Sequence, residues 1–208
     1  MKTSRRSALL LLLALTATPF QTVTARTSPI ALEQAGDVAA KAPAVVFLIR
    51  HGEKPLTGKD PDLSPMGYQR AQAIPSLFLA KPGSTKLPRL PRPDALFATA
   101  PSKNSNRPIE TITPLSQALH LRIDEDFSDD DAAPLAKEVL SGKYAGKVVL
   151  ICWHHGEIPN VAQAFGVTNA PRKWDPGVFD QIWMLEWIDG KVQFTTLPEV
   201  LLSGDSKK

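Results

Sequence analysis

Cysteine is almost absent from this sequence, since its 208 residues contain only Cys152. One thiol excludes an intrachain disulfide, so the fold has to hold without covalent crosslinks. Cys152 lies inside an apolar run. We therefore expect a buried and inert side chain there.

Long hydrophobic stretches are also missing. The longest one, residues 8–15, follows the basic pair Arg5 and Arg6 and precedes the small-residue sequence Val23-Thr24-Ala25. A membrane span needs roughly 20 apolar residues, so this run is short for an anchor. A basic start, a short apolar stretch and a small-residue site predict a cleaved secretory signal over residues 1–25. We expect an exported protein, periplasmic or secreted, by the general or the twin-arginine route.

The chain that remains after removal of this segment has no formal net charge. Residues 1–25 hold three of the 24 basic residues and no acidic one, which leaves 21 basic against 21 acidic residues. A neutral mature chain gives no argument for nucleic acid or for an anionic membrane surface. We expect a lead-in segment at 26–43 and one domain at 44–208, long enough to bury a full core.

Buried strands alternate with helical patterns in that domain. The continuous apolar run at 44–49 predicts a strand buried on both faces. Residues 94–99 predict a second strand, and residues 147–153 give the strongest strand signal in the chain. Asp189-Gly190, between two further strands, predicts a two-residue hairpin. Helical patterns start at Ser64 and cover 107–119 (interrupted at Pro114), 136–140 and 158–165, and an acidic loop is expected at 124–131. This alternation predicts a three-layer α/β sandwich: a mainly parallel sheet, helices on both faces and an antiparallel edge hairpin.

Histidine and arginine follow the predicted strands directly. Arg-His-Gly-Glu at 50–53 follows the first strand, His-His-Gly-Glu at 154–157 follows another, and Arg107 lies beyond a third. The carboxyl ends of parallel strands meet at the edge of the sheet where α/β proteins bind ligands. The pattern therefore gathers histidines and arginines at one rim.

Phosphoryl transfer requires this combination of residue types. Charge spreads over the oxygens of the transferring group, so catalysis is mostly positioning and electrostatic stabilisation. Arginine presents paired donors and keeps its charge at working pH. A histidine can attack phosphorus and split one difficult displacement into two easier ones.

Four segments in order resemble the motifs of the histidine phosphatase superfamily. Residues 47–55 (FLIRHGEKP) resemble its signature, and 63–71 (LSPMGYQRA) its next element. Residues 107–111 (RPIET) resemble the second-arginine motif and 148–156 (VVLICWHHG) the second-histidine motif. The resemblance spans residues 45–187 and implies the phosphoglycerate mutase-like fold.

The resemblance also implies roles for individual residues. His51 would be the phosphorylated nucleophile, and Arg50, Arg107 and His155 would form the phosphate pocket, with no metal ion or other cofactor. The family has its histidine directly before glycine, which selects His155, and strand alternation predicts that His154 points to the opposite face. The implied partner is a small phosphorylated substrate.

The general acid is less clearly marked. The comparable stretch of the family carries a glutamate, and Asp124 falls at that position here. Glu157, two residues after His155, is the alternative, although it could equally cap the helix that follows. We assign the role to Asp124.

The sequence thus predicts a phosphomonoesterase that acts through a phosphohistidine on His51. Two other functions fit the same motifs. One is a phosphoglycerate mutase-like phosphotransferase, and the other is a catalytically silent phosphate-binding module on the same fold. The physiological substrate and the oligomeric state are left open.

Overall fold

The computed structural model describes residues 40–56, 60–81 and 89–205. The predicted signal at 1–25 and most of the lead-in lie outside the described residues. The strands are β1 (Val45–Arg50), β2 (Ala95–Thr99), β3 (Ile123–Phe127), β4 (Val148–Trp153), β5 (Gln181–Ile188) and β6 (Lys191–Pro198). The helices are α1 (Pro65–Ala73), α2 (Pro75–Leu79), α3 (Arg107–Leu119), α4 (Ala132–Val139) and α5 (Ile158–Ala164).

The six strands form one mixed sheet in the order β3-β2-β4-β1-β5-β6. The first four strands of that order run parallel to one another. The strand β5 runs antiparallel to β1, and β6 runs antiparallel to β5. Asp189 and Gly190 join β5 to β6 with positive φ angles of 51° and 72°, as a type I′ turn requires. The predicted three-layer sandwich with an edge hairpin is confirmed.

Alternation along β1 divides the core between the two faces of the sheet. Val46 and Leu48 pack into the cluster that contains α4 and α5, and Phe47 and Ile49 into the cluster that contains α2 and α3. All of β1 is buried, which explains its unbroken apolar sequence. Both layers of helices are therefore fixed to the strand that leads into the Arg-His-Gly segment.

The start of α1 follows the predicted pattern. The Ser64 side chain accepts a hydrogen bond from the backbone N–H of Gly67 at 3.1 Å, and Pro65 occupies the first helical position. The helix ends at Ala73, and Pro75 begins the short α2.

No described helix is long and apolar enough to cross a membrane.

Two predictions of local structure were wrong. Residues 123–127, placed largely in an acidic loop, form the edge strand β3, paired on one side with β2. An edge strand leaves one side open to water, which accommodates acidic side chains. Pro114 does not interrupt α3, which is continuous. The buried side chains Ile112, Leu115 and Leu119 hold the helix to the sheet, and their burial offsets the missing N–H.

Candidate active site

The pairing register of β1 with β4 determines where the histidines of the site lie. Arg50 pairs with Trp153, and the His51 N–H donates to the Trp153 carbonyl at 3.1 Å. The next residue of each chain segment is a histidine, so His51 and His154 leave the sheet side by side. Their ring centroids lie 5.2 Å apart in an edge-to-face arrangement.

His51 is buried, with 3% of its surface exposed. Its Nδ1 lies 2.7 Å from the Gly52 carbonyl oxygen. A carbonyl can only accept, so this contact assigns the hydrogen to Nδ1 and leaves the lone pair on Nε2. Burial, with the charges of His154, Arg50 and Arg107, lowers the pKa of His51 to about 2. The ring is therefore neutral and nucleophilic at ordinary pH.

Arg50 lies beneath the site with 1% of its surface exposed. Its Nη1 donates to the carbonyls of Pro176 and Val178 at 2.7 and 2.9 Å. Its guanidinium carbon lies 3.6 Å from the ring centroid of Phe179, in a cation–π contact. Burial lowers the pKa of Arg50 to about 10, so it remains charged at neutral pH.

Arg107 reaches the same site from the first turn of α3. Its Nη1 donates to the carbonyls of Asp60 and Pro61 at 3.0 and 3.1 Å, and its Nη2 donates to that of Asn104 at 3.2 Å. The Nε atoms of Arg50 and Arg107 are both buried and have no hydrogen-bond partner among the described residues. Buried donors usually have a partner, so an anion suits this pair.

Thr111 connects α3 to the loop that carries His51. The Gly52 N–H donates to the Thr111 hydroxyl oxygen at 2.8 Å, and that hydroxyl donates to the Arg107 carbonyl at 2.7 Å. The hydroxyl thus uses its donor and an acceptor position at once. One buried threonine therefore fixes the backbone after His51 relative to the turn that carries Arg107.

The glycines of two motifs pack against each other. A Cβ built on Gly52 would lie 3.0 Å from the Gly67 carbonyl oxygen and 3.2 Å from Leu63 Cδ2. The Ser64 N–H donates to the Glu53 carbonyl at 2.8 Å. Segment 63–67 therefore supports the loop that carries His51, which gives its leucine, serine and glycine a structural role.

His154 does not point away from the site, and this prediction was wrong. The strand β4 ends at Trp153, so alternation does not extend to the next residue. Its Nδ1 lies 2.9 Å from Asp129 Oδ1, and its Nε2 lies 3.0 Å from Ser105 Oγ. The side chain is therefore held from both ring nitrogens, beside His51.

His155 is half-buried at the same rim. Burial, with the positive charges of Arg50, Lys54 and His154, lowers the pKa of His155. Since the charge of Arg50 affects the pKa of His155, the two side chains lie close enough to interact electrostatically. The structure thus brings Arg50, His51, Arg107 and His155 to one edge of the sheet. The role of His155 in a phosphate pocket stays a prediction.

The two candidate acids are placed differently from this group. Asp124 lies within β3, paired with Phe97, and borders a cavity with Asp94 and Tyr144 beside the first residues of β2. The described contacts do not bring it to the histidines, which follow the other ends of the strands. Glu157 occupies the N-cap position of α5, and its carboxylate accepts from Asn160 Nδ2 at 2.6 Å.

Sequence reasoning missed three residues that contact the histidines or Arg50. Asp129 follows β3, Ser105 lies between β2 and α3, and Phe179 precedes β5. The ring of Phe179 lies 6.3 Å from that of His51. For Asp129 and Ser105 the usable signal was position alone, because each follows a parallel strand at its carboxyl end. Among the described residues, no group of three or more histidine, cysteine, aspartate or glutamate side chains is arranged to hold a metal ion.

The fold is similar to those of solved phosphatases, at low sequence identity. A mycobacterial glucosyl-3-phosphoglycerate phosphatase, solved with inorganic phosphate, is 15% identical, with 74% of this chain and 95% of that chain covered and a TM-score of 0.48. An alpha-ribazole phosphatase from Shigella flexneri is 14% identical, with 74% of this chain and 96% of that chain covered and a TM-score of 0.47. A phosphoserine phosphatase from Entamoeba histolytica is 11% identical, covers 73% and 94%, and has a TM-score of 0.42.

All three of these neighbours are named as phosphatases. At these identities the likeness concerns the fold alone. No protein-family model matches the sequence, and no curated protein matches it.

Proposed function

We propose that this protein is a phosphomonoesterase that acts through a phosphohistidine on His51. The observation that carries the proposal is the 2.7 Å contact between His51 Nδ1 and the Gly52 carbonyl oxygen. This contact fixes the tautomer whose Nε2 holds the lone pair, and the lowered pKa keeps that lone pair available. A neutral, oriented imidazole is what attack on phosphorus requires.

Two fixed positive charges support the binding of a phosphate ester beside this ring. The guanidinium groups of Arg50 and Arg107 are anchored by backbone carbonyls, so they are ordered before a substrate binds. Their buried Nε donors have no partner among the described residues. Oriented donors of this kind stabilise charge on the transferring phosphoryl group without reorganisation.

The reaction has two steps. His51 Nε2 attacks phosphorus and the alcohol leaves, and water then attacks the phosphohistidine and releases inorganic phosphate. His155 is proposed as a further phosphate ligand at the rim. The substrate class is a small phosphate monoester, and a panel of phosphorylated metabolites would identify the compound.

Release of phosphate from p-nitrophenyl phosphate by the purified protein tests the activity. We expect turnover by the wild type and none by His51→Ala, with His120→Ala as the matched control, because His120 lies at the other end of α3 as its C-cap. Binding of phosphate without turnover would instead indicate a silent binding module. Movement of phosphate between positions of phosphoglycerate would indicate a mutase.

Export is proposed from the sequence alone, since residues 1–25 lie outside the described residues. The basic start, the short apolar run and the small residues before Arg26 support it. Expression of the full chain, cell fractionation and N-terminal sequencing test it. We expect the mature protein outside the cytoplasm with Arg26 as its first residue, whereas an uncleaved membrane-bound chain would contradict the proposal.

A further inference from the structure

A carboxylate, an imidazole and a hydroxyl lie in a row beside His51. Asp129 Oδ1 is 2.9 Å from His154 Nδ1, and His154 Nε2 is 3.0 Å from Ser105 Oγ. The three residues come from three separate connections of the fold, after β3, β4 and β2 respectively. Their alignment therefore depends on the tertiary structure.

The hydrogen bonds define which atoms exchange a proton. An ionised carboxylate can only accept, so Nδ1 of His154 carries a hydrogen toward Asp129. At Nε2 two states share the same heavy-atom positions. A neutral ring accepts a hydrogen bond from the Ser105 hydroxyl, and a charged ring donates to it, which leaves the hydroxyl hydrogen available to a third group.

The row is held rigidly. The Trp153 indole N–H donates to the Asp129 carbonyl at 3.0 Å, which fixes the backbone of that residue. The Ser105 N–H donates to the Ser102 side chain at 3.1 Å, and Ser105 is itself buried. The His154 ring is 5.2 Å from that of His51. Such preorganisation suits proton transfer within a site.

We propose that Asp129, His154 and Ser105 form a proton relay for the reaction on His51, an inference that rests on the proposed phosphatase function. In the first step, the bond from His51 Nε2 to phosphorus forms and the bond from phosphorus to the ester oxygen breaks. The Ser105 hydroxyl gives its proton to the departing oxygen and takes one from Nε2 of the His154 imidazolium. The products are an alcohol, phosphohistidine and neutral His154.

The second step reverses the proton movement. Water attacks the phosphohistidine, its oxygen bonds to phosphorus, and the bond to His51 Nε2 breaks. The water proton passes through Ser105 to His154, which restores the imidazolium, and phosphate leaves. No oxidant or other reactant is needed. This assignment replaces Asp124 and Glu157 with a group that contacts the site.

Three of the described titratable groups lie next to His154. Asp129 supplies a negative charge from the connection after β3, and His51 and His155 lie beside it. His51 stays neutral because its pKa is lowered to about 2.

The test compares two esters that differ in leaving group, p-nitrophenyl phosphate and phenyl phosphate. The good leaving group departs without a proton, whereas phenolate needs one. His154→Gln keeps a polar side chain but cannot relay protons, and should lower kcat/KM for phenyl phosphate by about 10²–10⁴-fold. The loss on p-nitrophenyl phosphate should be less than tenfold. Ser105→Ala should show the same selectivity, and the double variant should lose little more.

His155→Gln is the matched control, since it changes the neighbouring histidine outside the row. It should lower kcat/KM for both esters by the same factor. Equal losses on both esters in His154→Gln would overturn the relay while the phosphatase activity stands. Wild-type protein that hydrolyses neither ester would overturn the proposed function together with the relay.

Discussion

The backbone of Gly67 lies against that of Glu53 so closely that a Cβ at position 67 would overlap the Glu53 carbonyl oxygen. It would also lie 3.0 Å from the Glu53 nitrogen. Both obstacles are backbone atoms, which have no alternative rotamer to adopt. The residue of α1 that supports the loop carrying His51 therefore has to be glycine.

Gly67→Ala should destabilise the protein by about 1–3 kcal/mol, the usual cost of overpacking, and displace the loop that carries His51. Urea unfolding and phosphate release measure the two effects. Gly156→Ala is the control, because a Cβ there meets nothing within 4 Å. Equal stability of the two variants would contradict the close approach.

Thr111→Val removes the hydroxyl that joins Gly52 to α3 while it keeps the volume of the side chain. The Gly52 N–H is then buried without a partner, which costs about 1–3 kcal/mol. We expect that loss in the free energy of unfolding, with a decrease in kcat. Thr111→Ser keeps the hydroxyl and should retain most of both quantities. If the serine variant were as damaged as the valine variant, the hydrogen bonds would not be responsible.

Arg70 ties the loop that carries His51 to residues 199–205 through three carboxylates. Its guanidinium bonds to Glu53 at 2.7 Å, Asp205 at 2.9 Å and Glu199 at 3.1 Å. Glu199 is buried, and its Oε1 has no hydrogen-bond partner among the described residues. Burial raises the pKa of Glu199 to about 8, while Asp205 and Glu53 keep Arg70 charged. Glu199 is therefore the carboxyl group of this cluster that holds a proton at neutral pH.

Glu199→Gln should flatten the pH dependence of stability. The pKa of Glu199 in the folded protein lies above its ordinary value of 4.5. The stability that its bound proton contributes is therefore fully present below pH 4.5 and is lost as the pH rises through about 8. Within that window one group changes stability by up to about 1.4 kcal/mol per pH unit. Urea unfolding at pH 5, 7 and 9 should show a smaller decline for the variant than for the wild type.

Glu138→Gln is the control for that series, because Glu138 pairs with Lys143, whose side chain is 63% exposed. It should leave the pH dependence unchanged. A Glu199→Gln protein that declines with pH as steeply as the wild type would mean that Glu199 is already ionised in the folded protein.

Prolonged treatment with a chelator should leave phosphate release unchanged. The positive charge of the site comes from Arg50 and Arg107, and both nitrogens of His154 have hydrogen-bond partners. Activity of chelated and untreated protein measures this. A loss that one divalent metal restores would instead favour a metallophosphatase.

The parts of the fold that followed from sequence are those in which local pattern and burial agree. The strand β1 is apolar because both of its faces are buried, and Asp189-Gly190 matches the φ angles of its turn. The strand β3 was missed because three consecutive acidic residues have low strand propensity. Its pairing with β2 is a tertiary contact that no local pattern contains.

The site divides in the same way. Arg50 and His51 could be placed because one ends a strongly marked strand and the other directly follows it. The orientation of His154 could not, since it depends on where β4 ends and on Asp129 and Ser105, which lie 25 and 49 residues away in the sequence. The acidic run around Asp129 reads as solvated charge until the fold brings one of its members to the imidazole.

Trapping of the covalent intermediate tests the mechanism most directly. Purified mature protein is mixed with a ³²P-labelled phosphate ester, quenched within milliseconds in base, digested and mapped. We expect the label on the peptide that contains His51, stable in base and lost in acid, and absent from His51→Ala. A parallel sample is quenched in acid, which preserves a phosphate ester of serine. Label on Ser105 in that sample, or full turnover by His51→Ala, would contradict the assignment of His51 as the nucleophile.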